Sequence, residues 1–310
     1  MKNKLIILTG PTAVGKTGLS IELAKRIGGE IISADSMQVY RRMDIGSAKI
    51  RKDEMQDIPH HLIDICEPQD DFNVYVFQKE AKSALNQIYN NNHIPIVVGG
   101  TGFYIQALLY DINFEDEDNT EVRKRLEKLN EEKGSEYLYE LLKEKDPKYA
   151  QTFHMNNVKK TIRALEYIEL NGKLFSEHNE EERSRESIYD FNYFVLNDER
   201  SRLYENIEKR VDIMVSDGLV DEVNSLRNEG LNRSYVSMQG LGYKEILDYL
   251  DGLCSLDEAI MKIKQETRHF AKRQLTWFRR EREVDWIDKP SFDYDNEKIL
   301  EYMIGKINHD

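Results

Sequence analysis

The chain has 310 residues, enough for one large domain or two modest ones, with the 40% hydrophobic content of an ordinary globular protein. Its 44 Lys and Arg against 57 Asp and Glu leave a formal net charge of −13, which argues against generic nucleic-acid coating but permits a local basic patch. Cys66 and Cys254 stand far apart with no metal-ligand spacing, so disulfide scaffolding and structural zinc are disfavoured and a reducing compartment fits.

The apolar run Leu5 to Leu8 is too short for the core of a signal peptide, and no stretch approaches a membrane span. The chain is therefore expected in the cytoplasm, with no membrane partner. Residues 4–9 (KLIILT) read as a short buried strand. After a glycine-rich turn, TGLSIELAKRIG places Leu19, Leu23, Ala24 and Ile27 at helical spacing and stops at Gly28-Gly29. EIISAD (30–35) reads as a second buried strand and HLIDI (61–65) as a third. A helix over 74–90 and a fourth strand over 94–98, ending in Gly99-Gly100, follow. Strands alternating with helices predict an α/β fold, a parallel sheet covered by helices on both faces.

Near residue 113 the texture changes to a charge-dense segment with Leu126, Leu129, Leu138, Leu141 and Leu142 at helical intervals. Asp146-Pro147 opens another helix, because proline suits the first helical turn. NVKKTIRALEYIELNG (157–172) is amphipathic and closes on Gly172. These features predict an all-helical insertion over 114–189 within a core made of 1–113 and 190–310. FNYFVL (191–196) returns as a fifth core strand, and Asp198 suits the N-cap of a helix running through Val215. Ser255 and Glu258 form a capping-box pattern opening a helix to about Glu281. The tail after it reads as short and irregular.

Three turns carry chemistry. Gly10-Pro11-Thr12-Ala13-Val14-Gly15-Lys16-Thr17 matches G-x-x-x-x-G-K-[ST] and sits between a strand and a helix, as that motif requires. Its amides can wrap one anion, Lys16 adds a point charge, the Thr17 hydroxyl ligates Mg²⁺ and the helix start adds its dipole. The loop fixes phosphate binding without specifying a nucleoside triphosphate. Asp35 ends the second strand, at the carboxyl edge where ligands gather in parallel sheets. It could stand behind a Mg²⁺ ligand, serve as a general base, or simply cap a turn. Gly99-Gly100-Thr101-Gly102 ends the fourth strand and aims Thr101 at the same crevice, although a plain strand-to-helix turn also explains the glycines.

Residues 262–282 hold eight Lys and Arg against two Glu, a local excess of 8 − 2 = 6 in an acidic chain. Ile260, Ile263, Phe270, Trp277 and Phe278 supply a core stripe, while Lys264, Arg268, Lys272 and Arg279 lie along another face. Such a run is often only a solvated face, but cations concentrated on an acidic protein suit a polyanion partner. Lys159, Lys160 and Arg163 form a smaller basic cluster on the insertion.

GPTAVGKT, DSMQVYRRMDIGSAK (35–49), HHLIDI (60–65), GGTGFY (99–104), IRALE (162–166), GLVDEV (218–223), GYKE (242–245) and KRQLTWFR (272–279) occur in this order. With them the chain resembles the bacterial tRNA dimethylallyltransferases, or isopentenyl-tRNA transferases, from residue 5 to about 287. Gly240-Leu241-Gly242 and Lys159-Lys160-Thr161 depart from the usual family pattern in detail. The resemblance implies a P-loop α/β core and transfer of the prenyl group of dimethylallyl diphosphate to N6 of the adenosine just 3′ of the anticodon. It implies Asp35 as the base and Thr101 as orienter of the amine. Residues 10–17 with Arg210 would hold the diphosphate. It also implies a tRNA path along Asp35, Ser36, Met37, Gln38, Thr101, Arg123, Lys159, Lys160, Arg163, Gly240, Gly242, Lys272, Arg273 and Arg279. The insertion would close over the anticodon stem, Mg²⁺ would be the cofactor, and a monomer is expected. A small-molecule kinase using the loop for ATP, or a nucleotide switch without turnover, are the competing readings.

Overall fold

The computed structural model describes residues 2–112 and 121–309, so the expected start of the insertion at 113/114 lies outside the described residues. The chain forms two compact units, one from the stretches up to Leu109 and from Ile188 onward, the other from Tyr110–Ser187.

The first unit begins with β1 (Lys4–Thr9), α1 (Lys16–Ile27), β2 (Gly29–Ala34), β3 (His60–His61), α2 (Val74–Asn90), β4 (Ile94–Gly99) and α3 (Gly102–Leu109). In the second unit follow α4 (Glu121–Lys133), α5 (Ser135–Lys145), α6 (Pro147–Ala150), α7 (Val158–Asn171) and α8 (Phe175–Ser184). The chain then returns through β5 (Asp190–Asn197), α9 (Arg200–Ser216), α10 (Leu219–Asn228), α11 (Tyr243–Leu250), α12 (Leu256–Phe278), β6 (Val284–Asp288) and α13 (Asn296–His309).

All six strands join one parallel sheet in the order β3-β2-β4-β1-β5-β6. Leu5 to Leu8 of β1 are at most 1% exposed because a central parallel strand is covered on both faces. Helix α1 packs with α13, whereas α2 and α12 pack with α3. From the adjacent strands β1 and β4 the chain leaves in opposite directions, to β2 and toward β5. Such a reversal opens a crevice at the carboxyl ends of the two strands. Register makes those ends level: Thr9 and Ala34 both pair with Gly99.

Four local expectations need correction. The third strand is only His60–His61, because Leu62 and Asp64 adopt φ of 63° and 56°, which a pleated strand cannot hold. The N-cap of α9 is Glu199, not Asp198, whose Oδ1 instead accepts the Glu199 N–H at 2.7 Å. Helix α12 stops at Phe278, so Arg279 is its C-cap rather than a helical residue. The tail is not irregular: Val284–Asp288 pairs with β5 as a sixth strand, and Asn296–His309 is a helix.

The helical unit has its own core of Leu126, Leu138, Leu142, Leu165 and Phe175. Asp146, fully buried, accepts the Tyr149 N–H at 3.0 Å through Oδ1 and the Ser176 N–H at 2.7 Å through Oδ2. It thus caps α6 and ties α8 to it. Among the described residues no helix is long and apolar enough to cross a membrane.

Candidate active site

The loop after β1 has its shape imposed by close approach. Gly10 adopts φ +145°, and a Cβ there would lie 2.5 Å from the Leu196 carbonyl oxygen. Ala13 and Gly15 are also left-handed, at 64° and 98°. Gly15 caps α1 without a side chain, which leaves the first amides of the helix facing the loop. Lys16 folds under it and donates from Nζ to the carbonyls of Gly10 and Pro11, each at 2.9 Å. Burial first, and then the neighbouring Arg210, push the Lys16 ammonium down to about 7, with Asp35 opposing the shift. Arg210 reaches in from α9 and donates to Thr12 Oγ1 at 3.3 Å. Burial lowers its guanidinium pKa too, and Asp35 again opposes. Lys289 donates to the Val14 carbonyl at 3.2 Å from the far side of the loop. Thr17 is exposed at the start of α1.

Asp35 follows the last residue of β2 and is half-buried. Its Oδ1 accepts the N–H groups of Met37 at 2.8 Å and Gln38 at 3.3 Å, an Asx turn that fixes the carboxylate. Oδ2 accepts no hydrogen bond among the described residues. The charge of Asp35 is felt by Lys16, Arg210 and Tyr104, so these groups share one crevice.

The turn after β4 completes it. A Cβ on Gly99 would lie 2.2 Å from the Ala34 oxygen, and one on Gly100 would lie 2.1 Å from Gln274 Nε2. Thr101 donates its N–H to the Ala34 carbonyl at 3.3 Å, which brings it beside the end of β2. Gln274, on α12 and 5% exposed, spans the crevice floor. Its Oε1 accepts the Thr12 N–H at 2.8 Å and its Nε2 donates to the Gly100 carbonyl at 3.1 Å. Trp277, one turn on, packs so closely on Gly102 that a Cβ there would meet its ring at 2.2 Å.

The structure therefore brings together residues 10–17, Asp35, Thr101 and Arg210. Ser36, Met37 and Gln38 lie on the turn beside Asp35. Gly240 backs against Met37, whose Cε would be 2.5 Å from a Cβ at 240, and Gly242 adopts φ +94° as the N-cap of α11. Lys272, Arg273 and Arg279 are exposed. Lys264 and Arg268, by contrast, are ion-paired to Asp212 at 2.6 Å and Glu208 at 2.7 Å on α9. Those two cations are spent on packing two helices together. In the helical unit the Arg123 guanidinium pairs with the buried Glu166 at 2.7 Å. Lys159 lines an open cavity of about 500 Å³ with His154, Asn156, Asn157 and Val158. Lys160 lies 5.5 Å over the Phe153 ring and Arg163 lies 5.8 Å over Phe175. Sequence reasoning missed Gln274 as a bridge, although it stands inside KRQLTWFR, because nothing local marks its partners.

A family described as IPP transferase matches residues 38–281, and one described as isopentenyl transferase matches residues 3–67. A curated tRNA dimethylallyltransferase of Lachnoclostridium phytofermentans is 56% identical over 300 residues, 96% of each chain. The crystal structure of a full-length tRNA isopentenylpyrophosphate transferase from Bacillus halodurans is similar with a TM-score of 0.75 at 44% identity, covering 99% of this chain and 98% of that one. A eukaryotic dimethylallyltransferase described in crystallographic snapshots as acting on tRNA reaches a TM-score of 0.80 at 29% identity, over 92% of this chain and 74% of that one.

Proposed function

The chain belongs to the IPP transferase family, and from that premise we propose that it is a tRNA dimethylallyltransferase. It transfers the dimethylallyl group of dimethylallyl diphosphate to N6 of the adenosine 3′-adjacent to the anticodon and releases diphosphate. A bond forms between N6 and the allylic carbon as the carbon–oxygen bond to diphosphate breaks. The N6 proton leaves to Asp35. The observation that carries this reading is the shared crevice, in which a fixed carboxylate faces two cations and a cradle of amides.

The division of labour follows from charge. The loop amides, the Lys16 ammonium and the Arg210 guanidinium are pre-placed where negative charge grows on the departing diphosphate. An adenine amine is a poor nucleophile, and Asp35, with Oδ2 left open by its turn, takes the proton as the new bond forms. Thr101, next to the end of β2, orients the amine. Among the described residues no group of three or more His, Cys, Asp or Glu could hold a metal ion. Thr17, exposed at the start of α1, would ligate a Mg²⁺ brought in with the diphosphate, and the ion would supply further neutralisation of the leaving group.

The reacting adenine must leave its stack to reach the crevice, which a protein does by flipping the base. Lys272, Arg273 and Arg279 on one unit, and Lys159, Lys160 and Arg163 on the other, offer cations for the anticodon stem-loop, whereas Arg123 is held by the buried Glu166. The reading is of a monomer working in the cytoplasm.

Incubation with labelled dimethylallyl diphosphate, Mg²⁺ and unmodified tRNA tests it. Label should enter RNA in step with diphosphate release. ATP turnover with no label in RNA would overturn the reading in favour of a kinase or a nucleotide switch.

A further inference from the structure

Two motifs remain without a role at the crevice: GLVDEV (218–223) and GYKE (242–245). They meet at the middle of the segment 35–49, which carries Asp35. Glu222 stands in the first turn of α10. Its Oε2 accepts the N–H groups of Asp44 and Ile45, both at 2.8 Å, and its Oε1 accepts the Gly46 N–H at 3.0 Å. Three consecutive amides thus wrap one carboxylate, an anion nest filled by the protein's own side chain. The fully buried Tyr243 donates its hydroxyl to the same Oε1 at 2.6 Å. Its ring lies so close to Gly46 that a Cβ there would be 2.5 Å from a ring carbon.

The segment needs such a hold. Between β2 and β3 it forms turns, with only a single-residue bridge from Tyr40 to Cys66. Hydrogen bonds lead from the nest to the crevice. Gln38 Nε2 lies 3.5 and 3.4 Å from the carbonyls of Ser47 and Ala48, directly after the nest. The Gln38 backbone N–H is one of the two that fix Asp35 Oδ1.

We propose that Glu222 and Tyr243 are positioning residues for the reaction, holding the 44–46 backbone so that the turn at Gln38 presents Asp35 in its working orientation. Neither touches substrate. The effect is on the chemical step and not on diphosphate binding, because the phosphate loop is anchored separately by Gln274 and Lys289. This rests on the prenyl-transfer reading above.

The test is single-turnover kinetics of Glu222→Gln and Tyr243→Phe, joined to amide hydrogen exchange of residues 44–46. Glu222→Gln keeps the size of the side chain but loses the charge and turns one acceptor into a donor. It should speed exchange at 44–46 and lower the prenyl-transfer rate by roughly 10²-fold, the scale of a displaced catalytic group, with the diphosphate KM within about twofold. Tyr243→Phe, which keeps the ring, should do the same more weakly. In an Asp35→Ala background Glu222→Gln should slow the residual rate little, since the pathway through Asp35 is already gone. A fully additive loss in that background, an unchanged rate despite faster exchange, or unchanged exchange would each overturn the proposal. Absence of prenyl transfer by the unaltered protein would instead sink the functional reading, while hydrogen exchange would still report whether Glu222 holds the loop.

Discussion

Gln274 joins the two turns of the crevice, and replacing it by leucine isolates that link. Leucine keeps most of the volume of a side chain that is 5% exposed, so water does not simply replace the lost amide. The Thr12 N–H and the Gly100 carbonyl lose partners at 2.8 and 3.1 Å. Leaving a buried polar group unpaired costs about 1–3 kcal/mol. Both residues are half-buried, so the two groups together should cost roughly 2–4 kcal/mol, a large part of a typical domain's stability of about 5–15 kcal/mol. Urea denaturation reads this as a lower midpoint. The freed Thr12 amide also loosens the cradle, and pyrophosphate affinity measured by calorimetry should drop about tenfold, the equivalent of about 1.4 kcal/mol. A second substitution sharpens the case. Gly100→Ala puts a Cβ 2.1 Å from Gln274 Nε2 and should be damaging because the buried amide can move aside only by giving up its bonds to Thr12 and Gly100. With alanine at 274 the obstacle is gone and Gly100→Ala should cost little, a strong coupling for a double-mutant cycle. Additive effects, or a Gln274→Leu protein with unaltered midpoint and pyrophosphate affinity, would refute the bridge.

Other outcomes follow from single groups. Asp35→Ala should lower prenyl transfer by roughly 10²-fold or more while tRNA affinity stays near that of the unaltered protein; near-normal single-turnover rates would remove the carboxylate from its role. Lys272→Ala with Arg279→Ala should weaken tRNA binding and reduce the salt slope by about 0.7–1 for each phosphate no longer neutralised, whereas an unchanged slope would make both cations mere solvated charge. Lys16 titrates near 10.5 in an unfolded chain and about 7 in the fold, so between those values the unfolded state holds more protons and stability rises with pH. Lys16→Met removes that dependence. The variant should be the more stable protein at about pH 6 and lose its advantage toward pH 10, while failing to bind pyrophosphate throughout. Identical pH–stability curves for the two proteins would show that the ammonium is not desolvated.

The legible parts of the crevice are those where one residue's backbone betrays its surroundings. Gly10 and Gly15 need positive φ, and the lysine and threonine follow at fixed offsets, so the phosphate loop can be read from eight adjacent letters. Asp35 is legible as the polar residue closing an apolar strand. HLIDI misleads because apolar alternation says nothing about φ, and Leu62 and Asp64 turn left-handed. The sixth strand escapes sequence reading because an edge strand buries little: in VDWID only Ile287 is fully covered, so no alternation stands out. The end of α12 is hidden because the basic run continues past the last core residue, Phe278, and charge does not mark a helix end.

The same contrast separates the loops from what holds them. A glycine declares that something comes close, but not what does. Gly99, Gly100 and Gly46 are visible as glycines, yet what crowds them is the oxygen of Ala34, the amide of Gln274 and the ring of Tyr243. Gln274 meets Thr12 across 262 positions, and Glu222 meets Gly46 across 176. Neither side chain sits in an unusual local pattern, since a glutamine inside a basic helix and a glutamate in a first helical turn are both ordinary there. Their roles arise only when a parallel sheet brings the ends of its strands level and the carboxyl-terminal helices close over them. For that reason substitutions at these anchors, rather than at the phosphate loop, discriminate best between a site assembled as described and one that merely contains the right letters.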